Sequence, residues 1–219
     1  MKFSKDNLVF LPLGGSGEIG MNMNLYHYDD SWIMIDLGVM FSDSFITPYD
    51  VIMPKLDFIL EKKDRLLGLI LTHAHEDHIG AVPYLYNLFD NIPIYTTSFT
   101  ASVLRRKFES VGCKNYNIVL LDYNKRFMIG SFDIEIIALT HSIPEPNAIV
   151  IRTNKGNIFH TGDWKIDPNP LVGNPINVNK LDQLRNEGMH TIVCDSTNVF
   201  NDNPSGSEED VRKNLREIY

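Results

Sequence analysis

The stretch Leu71–Gly80, LTHAHEDHIG, decides how this chain is interpreted, because it places three histidines and two acids within ten residues. The apolar run Leu67–Leu71 leads into it and predicts a buried strand. The segment Ile79–Val82 that follows indicates the start of a helix. A dense set of potential metal ligands therefore lies on the turn after a strand, which is a frequent place for a functional site in an α/β protein.

The spacing inside this stretch suits two metal ions. His73 and His75 are two residues apart, so in extended backbone their side chains leave on the same side and can bind one ion. Asp77 and His78 follow where the chain turns, and they can hold a second ion nearby. Two ions about 3.5–4 Å apart would clamp a hydroxide and both oxygens of a displacement.

The alternative interpretation of this stretch is a solvated polar loop that happens to be rich in histidine. The chain has seven histidines, and three of them fall within the six positions from His73 to His78. Burying so many titratable groups without a metal would be costly, so we favour the metal site.

Composition narrows the class of protein. The chain has 219 residues, 43% hydrophobic and 22% charged, which is ordinary for a soluble protein of one or at most two domains. No apolar run approaches the ~20 residues that span a bilayer, and Met1–Phe10 lacks the apolar core of a signal peptide. Cys113 and Cys194 are too few for a disulfide framework and indicate a reducing cytoplasm.

The net charge of −8 argues against a surface that coats nucleic acid in general. It does not exclude a nuclease, because bound divalent ions reverse the local field at a site.

Short predicted strands and helices alternate along the chain, which favours an α/β or α+β fold with helices over mixed sheets. A hairpin is expected around Asp29–Ser31. Helices are expected over Asp50–Leu66, His78–Phe89 and Ser98–Val111, and Thr191–Asp195 is predicted to be a buried strand.

Other candidate side chains also fall at the ends of predicted strands. His141 alone would more often be structural, but beside the 73–78 cluster it is the expected third ligand of the first ion. Asp163 could bridge both ions, because a carboxylate has two oxygens. Asp36 is either a turn cap or a support that orients a metal-binding histidine. His160 lies back within its strand and is interpreted as structural.

The glycine-rich segment Gly14–Gly20 could be mistaken for a phosphate cradle. It lacks the Lys-Ser/Thr of a P-loop, and strand-like sequence follows it. A tight loop with close backbone approach is the favoured interpretation.

The motif HxHxDH after an apolar strand resembles the signature of the metallo-β-lactamase superfamily, and the resemblance implies a four-layer αββα sandwich. Five segments also resemble the ribonuclease J family in order and wording: LGGSGEIGMN, LTHAHEDHIGAVPYL, THSIP, HTGDWKIDPNP and CDSTN. Members that hydrolyse small thioesters or lactones share HxHxDH but lack GEIGxN and DSTN. The resemblance covers essentially the whole chain.

The resemblance implies a ligand set for two zinc ions, with manganese as a possible substitute. This set comprises His73, His75 and His141 for one ion, Asp77 and His78 for the other, and Asp163 as a bridge. Asp77 and Asp195 are the implied catalytic residues. Asp195 lies where the family is thought to have a proton-transfer group, and the alternative is an Asp that caps the turn into Ser196–Thr197.

The implied reaction is metal-assisted hydrolysis of RNA phosphodiesters, in 5′-to-3′ exonucleolytic and endonucleolytic modes, by a hydroxide held between the ions. The implied partners are single-stranded RNA with a 5′-monophosphate end and further copies of the same protein, with no membrane. A second hypothesis is a compact thioester or lactone hydrolase that uses the same metals. A third is a non-catalytic scaffold module.

The resemblance also predicts a domain division. We expect a metallo-β-lactamase domain over residues 1–206 and the start of a truncated β-CASP domain over residues 207–219, where Ser207 is a candidate helix N-cap. The family carries one more histidine ligand beyond that insertion, so the second ion site is expected to be one ligand short. We therefore expect a sandwich that is incomplete at the C-terminus, an exposed sheet edge or apolar patch, and slow RNA cleavage.

Overall fold

Two β-sheets lie face to face and helices cover their outer faces, in a computed structural model that describes residues 4–42, 49–123 and 125–218. This arrangement confirms the predicted four-layer αββα sandwich. Among the described residues, no helix has both the length and the apolar character needed to traverse a bilayer.

The first sheet contains six of the described strands, three antiparallel and then three added in parallel. Their spatial order is β1 (Val9–Gly14), β2 (Met23–Tyr28), β3 (Ser31–Ile35), β6 (Leu66–Ile70), β7 (Pro93–Thr96) and β8 (Asn117–Leu120). The predicted β2–β3 hairpin is confirmed. Its turn residues Asp29 and Asp30 have φ of 50° and 60°, which a two-residue type I′ turn requires.

The second sheet contains five of the described strands, antiparallel except for the edge strand β13, which runs parallel to β12. Their order is β13 (Thr191–Val193), β12 (Gly156–His160), β11 (Asn147–Thr153), β10 (Phe132–Ala138) and β9 (Arg126–Ile129). The short strands β4 (Met40–Phe41) and β5 (Val51–Ile52) pair separately.

Helices complete the outer layers. They are α1 (Asp57–Leu60), α2 (Glu76–Ile79), α3 (Val82–Leu85), α4 (Ser98–Ser110), α5 (Val178–Glu187) and α6 (Glu208–Ile218). The predicted N-cap of α6 is confirmed, because the Ser207 hydroxyl accepts a hydrogen bond from the Glu209 N–H at 3.2 Å. Tyr219 lies outside the described residues.

Alternation along the strands divides the apolar core into three layers. Trp32, Leu69 and similar side chains of the first sheet pack against the helical side of the molecule, with Phe108 of α4. Ile33 and Ile149 are among the residues that fill the space between the two sheets. A smaller cluster joins the outer face of the second sheet to Leu184 of α5.

Two predicted helices are wrong as continuous elements. Residues 50–66 contain β5, the single turn α1 and a 3₁₀ turn at Lys63–Arg65, because Pro54 disfavours a helix across Met53. Residues 78–89 divide into the end of α2, then α3, then a 3₁₀ turn at Tyr86–Phe89. Pro83 has no N–H to bond the carbonyl of Ile79. The series of helical hydrogen bonds is therefore interrupted between α2 and α3.

The prediction of a buried strand over Thr191–Asp195 is also wrong. The strand ends at Val193, and Ile192 is 62% exposed. This strand lies at the edge of its sheet rather than inside it, and two of its three residues are exposed.

Candidate metal centre

The predicted site residues meet at one end of the sandwich, each just beyond the carboxyl end of a strand. Asp36 follows β3, the segment from His73 to His78 follows β6, and His141 follows β10. Asp163 follows β12 and Asp195 follows β13. Because β3 and β6 run parallel, as do β12 and β13, their ends bring these side chains to common edges.

The first ligand group consists of His73, His75, His141 and Asp163, whose ligand atoms all lie within 4.8 Å of one another. The Nδ1 of His75 lies 3.0 Å from the Nε2 of His73 and 3.2 Å from the Nε2 of His141. The Oδ2 of Asp163 lies 3.6 Å from the Nε2 of His141. Three ring nitrogens and one carboxylate oxygen thus point toward a common position.

The second ligand group consists of Asp77, His78 and Asp163, again with ligand atoms within 4.8 Å of one another. The Nε2 of His78 lies 3.2 Å from the Oδ1 of Asp163 and 3.5 Å from the Oδ2 of Asp77. Asp163 therefore offers one oxygen to each group, which is the arrangement expected of a bridging carboxylate.

The Asp36 carboxylate fixes the turn that carries these ligands. Its Oδ1 accepts a hydrogen bond from the Thr72 N–H at 2.8 Å, and its Oδ2 accepts one from the Thr72 hydroxyl at 2.8 Å. The same Oδ2 lies 2.7 Å from the Nδ1 of His78, so Asp36 makes the contact that we predicted for a histidine support. This bond occupies Nδ1 and leaves Nε2 available for a ligand.

A small network of backbone hydrogen bonds holds the same turn from its other side. The carbonyl of Asp77 accepts from the Asn22 N–H at 2.9 Å, and the carbonyl of His78 accepts from the Leu37 N–H at 2.8 Å. Val39 N–H donates to Glu76, and Gly38 N–H donates to Asn22, both at 3.0 Å. A Cβ on Gly38 would lie 1.6 Å from the Asp77 carbonyl oxygen, so this approach requires glycine.

The electrostatics of the first group favour neutral imidazoles. Burial lowers the pKa of His73 well below its ordinary value, and the nearby histidines lower it further. Burial also lowers the pKa of His75 and of His141, although nearby carboxylates partly oppose it. Neutral imidazole is the form that binds metals, so these nitrogens are in the required state at neutral pH.

The second group has the opposite balance. Burial alone would lower the pKa of His78, but Asp36 and Asp163 outweigh it and raise that pKa to about 10. Burial would raise the pKa of Asp163, yet the hydrogen bond with His78 and the other histidines lower it. Without a metal, His78 is thus held as a cation between two carboxylates, and a metal ion would have to displace its proton.

A cavity of about 420 Å³ opens beside the second ligand group. Its walls include the glycine-rich segment, Asp163 and the turn Cys194–Thr197. The predicted close backbone approach of the glycine-rich segment is confirmed, because a Cβ on Gly14 would lie 2.1 Å from the Met21 carbonyl oxygen.

Asp195 lines this cavity, but its contacts are those of a turn cap. Its Oδ1 accepts hydrogen bonds from the Thr197 N–H at 2.8 Å and from the Thr197 hydroxyl at 2.7 Å. Its Oδ2 has a longer contact, 3.5 Å, with the Trp164 N–H. The Oδ1 contacts are therefore those of an aspartate that caps the turn into Ser196–Thr197. A catalytic role for Asp195 stays a prediction.

His160 is buried and its Nδ1 lies 2.8 Å from the Tyr26 hydroxyl. Burial lowers its pKa to about 4, so the ring is neutral. It belongs to neither ligand group, which agrees with its structural interpretation.

Sequence reasoning missed three residues that shape the site. Thr72 links Asp36 to the turn, Gly38 permits the close approach to Asp77, and the Asn22 side chain contacts both Asp77 and His78. The quoted segment GEIGMN contains Asn22, but no chemistry of an isolated asparagine reveals a contact 55 residues away.

The residues present fit a metal cofactor. Three neutral imidazoles and carboxylates converge around two positions, and such donors suit zinc and manganese alike. The fully buried ring of His73 lies against the rings of His75 and His141, and a shared metal ion would compensate the burial of these nitrogens. Which residue ligates which ion stays a prediction.

Comparison with known proteins gives matches over most of the chain. A family model described as a β-lactamase superfamily domain matches residues 32–178. Ribonuclease J of Sinorhizobium meliloti is 42% identical over 97% of this chain, and ribonuclease J of Thermus thermophilus is 33% identical over 98% of it. The chain spans 38% and 39% of the lengths of these two relatives.

Among solved structures, a protein of unknown function from Enterococcus faecalis V583 aligns with a TM-score of 0.68. The alignment covers 95% of this chain and 56% of that protein at 18% sequence identity. At this identity the likeness concerns the fold alone.

Proposed function

This chain belongs to the β-lactamase superfamily, and from that membership we propose that it takes part in metal-dependent hydrolysis of RNA phosphodiesters. The observation that carries the choice of substrate is 42% identity to a ribonuclease J over 97% of the chain. The alternative, hydrolysis of small thioesters or lactones with the same metals, has no comparable support among these relatives.

We assign the first ligand group to one divalent ion and the second to another, with Asp163 shared between them. Zinc is the proposed ion and manganese an alternative, since histidine and aspartate suit both. When bound, such ions lower the pKa of water and stabilise negative charge on phosphate oxygens.

The protein's own residues would bind and orient the scissile phosphate. The cavity beside the second ligand group is the proposed place for it, because this cavity is bordered by Asp163 and His78 on one side and by glycine-rich backbone on the other. With a net charge of −8, the rest of the chain offers RNA little general attraction, so ions at the site would carry much of the binding.

Asp77 is the proposed catalytic carboxylate within the second group. Asp195 is the proposed proton carrier, and Oδ2 is the atom suited to this role, since Thr197 already occupies Oδ1. An Asp195→Asn variant would test it, because this change keeps the acceptor for Thr197 and removes the exchangeable acid.

The resemblance also carries the remaining parts of the proposal. They are a preference for single-stranded RNA with a 5′-monophosphate, combined exonucleolytic and endonucleolytic cleavage, self-association of the protein, a cytoplasmic setting, and a domain division at residue 206.

The experiment that tests the substrate proposal compares single-stranded RNA, labelled at a 5′-monophosphate, with a panel of thioesters and lactones. We expect slow cleavage of RNA in Mn²⁺ or Zn²⁺, loss of cleavage in a chelator, and no turnover of the panel. Asp77→Ala would abolish cleavage, whereas Asn186→Ala on the exposed face of α5 would not. Turnover of a thioester with no RNA cleavage would favour the alternative.

A further inference from the structure

The geometry points to Asn22 as a positioning residue for the second ligand group, acting through Asp77 and His78. This inference rests on the proposed metal centre and adds a determinant of how tightly its second ion is held.

One atom of the Asn22 side chain reaches both partners. Its Nδ2 lies 3.2 Å from the carbonyl oxygen of Asp77, 3.4 Å from the Oδ2 of Asp77 and 3.1 Å from the Nε2 of His78. Two of these three atoms are ligand atoms of the second group. Within the described part of the chain, the Asn22 side chain makes no hydrogen bond to the histidines of the first group, so its influence on the site is selective.

The backbone of Asn22 makes this side chain a rigid support. Its N–H donates to the Asp77 carbonyl at 2.9 Å, and its carbonyl accepts from the Gly38 N–H at 3.0 Å. The backbone of Asn22 is therefore fixed on both sides, and only the side-chain rotamer remains to be ordered. A support of this kind can hold its partner in one orientation.

Asp77 needs such a support. Its side chain is 32% exposed, and among the described residues its carboxylate has contacts as short as 3.5 Å with Asn22 and His78 alone. The two hydrogens of Nδ2 can serve the carbonyl and the carboxylate of Asp77 together, so Asn22 acts on Asp77 through hydrogen bonds and on His78 through close packing against Nε2, which a ligand can occupy once its proton is displaced. Groups that orient ligands in this way typically change metal affinity 10–100-fold when removed.

The test measures metal binding rather than catalysis. Metal-free protein is titrated with Co²⁺, whose visible absorption reports each site, and Mn²⁺ binding is followed by electron paramagnetic resonance. Asn22→Ala is compared with wild type and with Asn186→Ala, the same substitution at an exposed position of α5. We expect Asn22→Ala to weaken the second ion about 10–100-fold and to leave the first within about twofold.

Three results would overturn the inference. Unchanged affinities for both ions in Asn22→Ala would remove the role of Asn22 while leaving the proposed metal centre intact. Equal weakening at both sites would indicate a general structural role. A wild-type protein that takes up one ion would contradict the two-ion centre itself. If Asn22→Ala does not fold, Asn22→Ser is judged by the same criteria, since serine is too short to reach Asp77 and His78.

Discussion

His160 illustrates how a buried neutral histidine makes stability depend on pH. Its pKa is lowered from 6.5 to about 4, because burial disfavours the charged ring. The unfolded chain takes up a proton as pH falls below 6.5, while the folded chain resists until about pH 4. The stabilisation from this residue is therefore complete above pH 6.5 and is lost toward pH 4.

We predict that His160 contributes roughly 3 kcal/mol to the loss of stability of metal-free protein between pH 7 and pH 4. His160→Gln, which can still accept from the Tyr26 hydroxyl, should flatten that part of the profile. Urea unfolding at several pH values measures it. Parallel profiles for wild type and variant would show that His160 does not titrate in this range.

Gly38 is the second residue whose effect can be predicted from geometry. A methyl group there would overlap the Asp77 carbonyl at 1.6 Å, so Gly38→Ala must displace the turn that carries Asp77 and His78. We expect a loss of about 3 kcal/mol or more in the free energy of unfolding, together with weaker metal binding.

Gly173→Ala is the matched control for Gly38→Ala. Gly173 has φ of 82°, and a Cβ added there would meet no atom within 4 Å, so its substitution costs only backbone strain, about 1 kcal/mol. Equal losses at the two positions, measured by denaturant titration, would contradict the steric argument.

The candidate ligands were predictable from sequence because their chemistry is carried by residue type. His73, His75 and His78 belong to an infrequent residue type, and their spacing is typical of metal ligands. His141 and Asp163 follow apolar strands. Thr72 and Gly38 could not be predicted, because a hydroxyl or a glycine acquires its role only from contacts that the folded chain creates.

At the scale of elements, ion pairs that include buried charges connect α5 to the second sheet. Arg152 of β11 donates from Nη2 to Glu135 of β10 and to Glu187 of α5, both at 2.8 Å. Lys180 of α5 also pairs with Glu135. Glu135 and Arg152 are almost fully buried, so neither charge has water to replace a lost partner.

We predict that Arg152→Ala lowers the free energy of unfolding by roughly 3 kcal/mol, because Glu135 would keep only Lys180. The double variant Glu135→Leu with Arg152→Met should recover most of that loss, since it removes both buried charges. Arg212→Ala, which breaks an exposed pair with Glu209, should cost less than about 1 kcal/mol. A single-variant loss no larger than that of Arg212→Ala would contradict the prediction.

Elements with strong periodicity were predicted well, and elements interrupted by proline were not. The helix expected over Ser98–Val111 is α4, Ser98–Ser110, one residue shorter than predicted. The apolar residues of 50–66 recur at helical intervals, but Pro54 removes a donor and restricts the residue before it. The segment therefore forms strand β5, the single turn α1 and a 3₁₀ turn rather than a continuous helix.

The whole molecule exposes one sheet edge next to the candidate site. In the part of the chain that the structure describes, β13 bonds to β12 on one side and has no strand on the other. Ile192 on this strand is 62% exposed and Phe200 just beyond it is 98% exposed. The sequence led us to expect an exposed edge or apolar patch, and β13 is such an edge, with two exposed apolar side chains on or near it.

We predict that the chain self-associates through this edge at concentrations of about 100 µM, because an open edge and apolar side chains favour pairing. Ile192→Lys combined with Phe200→Ser should shift the sedimentation coefficient toward the monomer. Tyr84→Ser, an exposed aromatic on α3, is the control and should change nothing. A wild-type chain that stays monomeric at that concentration would contradict the prediction.

The order of strands and helices predicted the α/β or α+β class, and the resemblance to the metallo-β-lactamase superfamily added the αββα sandwich. The contribution of each sheet to the site could not be predicted from the order of elements. It depends on side chains that are distant in sequence, from Asn22 to Asp195, and that meet only in the folded chain.

The network of backbone hydrogen bonds around Asp77 also has a consequence for the dynamics of the chain. The amide hydrogens of Asn22, Leu37, Gly38 and Val39 are bonded across three separate segments of the chain. Three of these amides, those of Asn22, Leu37 and Val39, bond to the ligand-bearing segment 76–78, and that of Gly38 bonds to Asn22, which is itself held to Asp77. Their exchange with deuterated solvent should therefore proceed at one common rate, slowed together by bound metal, as expected of a single cooperative unit.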